Sequence, residues 1–81
     1  MTEQPNETTV VVDGASYTVS PTAFRSHYQV VGPEGRLVGL IEVLEVQGVR
    51  KCASRPASGT TMTLGLMNRI AEAATEAGVI K

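Results

Sequence analysis

"LVGLIEVLEV", residues 37–46, is either an apolar helix or the central strand of a sheet. Wound as a helix, these apolar residues leave no polar stripe at a 3.6-residue period. Four of the ten positions counted with Ile41 are β-branched (Val38, Ile41, Val43 and Val46), and Gly39 sits among them, a composition that favours a strand. As a strand it is apolar on both faces. Leu37, Ile41 and Val43 point one way, and Val38, Leu40, Leu44 and Val46 point the other.

Upstream, "SHYQVV" reads as a partner strand joined through Gly32-Pro33-Glu34-Gly35. A tight hairpin pairs Val31 with Arg36, which sets Tyr28 opposite Gly39 and His27 opposite Leu40. An aromatic ring over a strand glycine is a sensible cross-strand arrangement. Tyr28 and Val30 then join Leu37, Ile41 and Val43 on the richer face. Further upstream, "TTVVVDGASYTV" holds two β-prone runs around Asp13-Gly14, a dipeptide suited to a two-residue type I′ turn. Counting outward pairs Val12 with Ala15, Val10 with Tyr17 and Thr8 with Val19.

Downstream, Gln47-Gly48 is either a turn or a bulge in a continuing strand. The turn sets Glu45 opposite Arg50 and Cys52 opposite Val43. The remainder is helical from about Thr61 to Ala77. Met62, Leu66, Ile70, Ala73, Ala74 and Ala77 share one side, and Asn68, Arg69, Glu72, Thr75 and Glu76 the other. Ser58, Thr60 or Thr61 can supply the N-cap, and Gly78 with Val79 suits a Schellman ending.

These elements predict an α+β protein: an antiparallel sheet of four to five strands, built from two or three β-hairpins, with one C-terminal amphipathic helix packed on one face. The chain's 81 residues suffice for one domain, expected over residues 8–81, with residues 1–7 as a flexible polar tail. No run approaches the roughly 18 apolar residues of a membrane span, and the N-terminus lacks a signal-peptide pattern. A single cysteine excludes an internal disulfide and a multi-cysteine metal site, so a reducing cytoplasm is the expected setting. No cofactor is implied.

One helix covers one face of the sheet, so Val38, Leu40, Leu44 and Val46 need another cover. Full burial of each is worth about 1.5–3 kcal/mol. Either the N-terminal hairpin folds over them as a second layer, or another chain does, most simply a second copy.

Catalytic and ligand-binding patterns are weak. Cys52 and His27 would be nucleophile and base of a thiol enzyme, but the hairpin registers put them on opposite faces. Cys52 is then expected to be a small buried residue at a strand end. A phosphatase-type loop needs arginine six positions after its cysteine, where Ser58 stands. The net charge of −1 hides an asymmetry, because the segment from Val49 onward is basic. Arg50, Lys51 and Arg55, with Thr60 and Thr61 before the helix, form a candidate anion-binding site. Nucleic acid is disfavoured, since Glu72 and Glu76 on the exposed helix face repel phosphate and aromatics are few. The expected function is a non-catalytic protein-interaction module (a regulator, inhibitor or accessory subunit) that forms a homodimer through Val38, Leu40, Leu44 and Val46. The alternative is a binding module for an anionic ligand or nucleic acid, built on the basic segment.

Overall fold

The computed structural model describes residues 7–80, so the tail expected over residues 1–7 lies, Glu7 excepted, outside the described residues. Five strands run in chain order: β1 (Thr8–Val12), β2 (Ala15–Pro21), β3 (His27–Val31), β4 (Leu37–Val46) and β5 (Val49–Pro56), followed by α1 (Leu64–Glu76). Each strand pairs antiparallel with the next, giving one sheet of order β1-β2-β3-β4-β5. The α+β architecture is therefore the one the periodicities predict.

Two of the connections are two-residue turns with both residues at positive φ. Asp13 and Gly14 have φ of 54° and 78°, and Gln47 and Gly48 have 52° and 78°. This backbone matches the right-handed twist of the strands it joins. Residues 47–48 thus form a turn rather than a bulge. Both flanking registers agree with those counted from the sequence, including Val10 opposite Tyr17, Cys52 opposite Val43 and Glu45 opposite Arg50.

The middle hairpin departs from expectation. Gly32 N–H donates to Arg36 O at 2.8 Å, so the hairpin closes on Gly32 and Arg36 instead of Val31 and Arg36. Val31 then pairs with Leu37, and a β-bulge follows that sets Val30 opposite Gly39. The extra residue is Val38. Tyr28 consequently faces Ile41 and not Gly39, and His27 faces Glu42 and not Leu40. A bulge reverses facing locally. Val38 turns in to pack against the core while Leu37 turns out and is 45% exposed, the reverse of the assignment that strict alternation gives them.

The core lies between the sheet and α1. Val10, Val12, Tyr17, Val19, Val30 and Ile41 come from the strands, and Met67, Ile70, Ala71 and Ala74 from the helix. The buried stripe is rotated from the expected one: Met67 and Ala71 are inside, and Ala77 is exposed. Gly39 accounts for the rotation. A Cβ there would stand 2.6 Å from both Sδ and Cε of Met67, so the missing side chain is the space that Met67 fills.

Helix α1 begins one turn later than expected. Thr63 is the N-cap, its Oγ1 accepting from Leu66 N–H at 3.1 Å, whereas Thr60 Oγ1 donates to Ala57 O within the preceding loop. At the other end Gly78 N–H donates to Thr75 O and Val79 N–H to Ala74 O, both at 3.1 Å. That is the full Schellman pattern, with Val79 buried behind it. The helix touches both edge strands, β1 and β5, so the sheet curls around it. Arg69 ties the helix to the first hairpin through a bidentate pair with Asp13, at 2.8 and 2.7 Å.

Candidate interaction surface

The sheet face turned away from α1 has two halves. Directly paired residues share a face, so the registers sort the side chains. Thr9, Ser16, Thr18, Ser20 and Gln29 make the half over β1–β3 polar, with Val11 and Val31 as its apolar exceptions. Over β4–β5 the face is apolar: Leu37, Leu40, Leu44, Val46 and Val49 are 45, 40, 40, 52 and 55% exposed. Lys51 and Arg55 stand opposite Leu44 and Leu40, and Glu42 stands opposite Ala53.

Nothing among the described residues covers this face. The N-terminal hairpin is a continuation of the same sheet, with β1 at the far edge, so it forms no second layer. Of the four residues expected here, Leu40, Leu44 and Val46 are present and exposed. Val38 is not, because the bulge commits it to the core side. Beyond Ala53 and Val43 toward the turn, every residue of the β4–β5 hairpin is exposed on both sides. The hairpin therefore projects as an arm past the helix.

Two residues of this surface escape a reading of the sequence. Val49 sits opposite Val46 and extends the apolar row across the turn. Phe24 is 74% exposed in the loop before β3, and its ring meets that of His27 edge-on with centroids 6.0 Å apart. His27 Nδ1 lies 2.8 Å from Arg25 O, and its Nε2 lies 3.6 Å from a carboxylate oxygen of Glu42. A carbonyl only accepts, so Nδ1 carries a proton. The aromatic pair thus stands at the margin of the apolar half, held by the bond from Nδ1 to the Arg25 carbonyl. The signal in the sequence was a lone aromatic in a polar loop.

The anion-site residues do not converge. Arg50 is on the α1 side of the hairpin, opposite Glu45, while Lys51 and Arg55 are on the outer face. Lys51 and Arg55 are four residue steps apart along the strand, about 13 Å. Thr60 and Thr61 are elsewhere, lining a groove of about 420 Å³ between the β3–β4 turn and the loop before α1. Tyr17, Val38, Met62 and Leu66 form its apolar side, and Arg36 and Glu34 contribute opposite charges. The helix start is occupied by its own cap, Thr63.

Cys52 and His27 are on opposite faces of the sheet, as the partners Val43 and Glu42 require. Cys52 is exposed and not buried, because the arm extends beyond the helix that would cover it. Among the described residues no cluster of His, Cys, Asp and Glu could hold a metal ion. No helix there is long and apolar enough to cross a membrane. Comparison with family models, curated proteins and solved structures finds no match for this chain.

Proposed function

We propose that this chain is a non-catalytic protein-interaction module that binds through the outer face of β4–β5, with a second copy of itself as the occupant. Such a module serves as a regulator, inhibitor or accessory subunit, and a reducing cytoplasm suits its single exposed thiol. The carrying observation is the row Leu37, Leu40, Leu44, Val46 and Val49, interrupted at Glu42, on a face with no covering layer. Large exposed apolar patches of this kind mark interaction sites.

A two-fold axis through the face lets Leu40 and Leu44 of one copy meet those of the other. Glu42 and Lys51 share this face and bear opposite charges, so the same rotation can set them against each other across the contact.

The test is Leu40→Glu. It places a charge at the centre of the contact, and the variant should elute as a folded monomer where the unmodified chain elutes as a dimer. Far-UV circular dichroism confirms folding in both. An unchanged elution volume would refute the assigned face.

A further inference from the structure

We infer that the free edge of β5 is a docking site for an acidic, extended peptide segment of a partner protein, which adds to the sheet as a sixth, antiparallel strand. β5 is the last strand of the sheet, and residues 49–53 are exposed throughout. The ladder fixes which backbone groups are free. Ala57 N–H donates to Val38 O at 2.9 Å, so residues of its parity, Arg55, Ala53, Lys51 and Val49, direct their backbone groups to β4. Arg50, Cys52 and Ser54 therefore turn N–H and C=O outward. Pro56, which has no N–H, falls at an outward position, where its missing donor costs the ladder nothing.

Charge selects the occupant. The ion pairs among the described residues are His27–Glu42 and Arg69–Asp13, which leaves Arg50, Lys51 and Arg55 unpaired along this edge. A second copy is disfavoured there, since pairing β5 with itself brings two sets of these cations together. An acidic strand is favoured on both counts, through backbone hydrogen bonds and through opposite charge. Arg50 and Lys51 are adjacent on opposite faces, and Arg55 shares Lys51's face. An antiparallel partner thus matches best with the pattern acid-x-x-x-acid-acid. A nucleic-acid strand offers no alternating donors and acceptors for the edge, and β5 has no aromatic side chain on which bases could stack. Lys51 and Arg55 also border the outer face, whereas the backbone groups of Arg50, Cys52 and Ser54 belong to the edge alone, so Cys52→Pro probes the edge separately from self-association.

Fluorescence anisotropy with a labelled peptide containing Glu-Val-Thr-Val-Glu-Glu tests it. The peptide should bind more tightly than a scrambled peptide of the same composition, and added salt should weaken it. Cys52→Pro removes one outward N–H without removing a bond to β4, and should raise the dissociation constant about tenfold or more. Where circular dichroism shows that this variant does not fold, the triple charge reversal Arg50→Glu, Lys51→Glu, Arg55→Glu replaces it. That variant should instead prefer Lys-Val-Thr-Val-Lys-Lys. Absence of peptide binding, equal binding by folded Cys52→Pro, or tighter binding of single-stranded oligothymidylate overturns the proposal.

Discussion

Gly39 shows how a single missing side chain orients the helix. Met67 is fully buried over it, and a methyl group at residue 39 would intrude on Sδ, Cε and, at 3.1 Å, the carbonyl of Arg55. Gly39→Ala should cost about 1–3 kcal/mol in chemical denaturation, as overpacking does. Most of that cost should vanish in a Met67→Ala background, because the two sites share one space. Additive effects would show that the contact is not the cause. Ser54 is the converse case. It lies opposite Ile41, and its Oγ is the one buried side-chain polar atom without a partner among the described residues. Ser54→Ala removes an orphaned hydroxyl, so stability should hold or rise by up to about 1 kcal/mol. A loss larger than that would mean that the hydroxyl is satisfied in solution.

Among the elements, helix α1 and the first hairpin are joined by the Arg69–Asp13 pair, in which both side chains are about half-exposed. Solvent screens such a pair, so Arg69→Ala should cost only about 0.2–1 kcal/mol, and less as salt is added. A salt-independent loss would point to packing of the arginine stem instead. The first hairpin was legible because Asp13-Gly14 fixes a type I′ turn and its register; at Gln47-Gly48 the Glu45/Arg50 opposition gave the register of a turn, but Gln-Gly left a bulge open. The β3–β4 register was not, since Gly32 and Gly35 allow more than one way to close the turn and the hydrophobic pattern tolerates a shift of two residues. The bulge at Val38 was hidden for the same reason: with Leu37 and Val38 both apolar, alternation cannot tell which one faces in. The helix existed plainly in the periodicity, but its rotation depended on Gly39, a residue on another element.

For the whole molecule, the decisive outcome is that all five strands enter one sheet and a single helix covers one side of it. The sequence showed that an apolar second face exists, through Leu40, Leu44 and Val46. It could not choose between the first hairpin and another chain as the cover, because both satisfy the same pattern. With the hairpin placed in the sheet, a second copy of the chain is the proposed cover for the outer face of β4–β5. Sedimentation equilibrium of the unmodified chain over a wide concentration range tests this most directly. The expected result is a reversible monomer–dimer equilibrium that Leu40→Glu shifts to monomer. A monomer mass maintained to the highest concentration reached would contradict it.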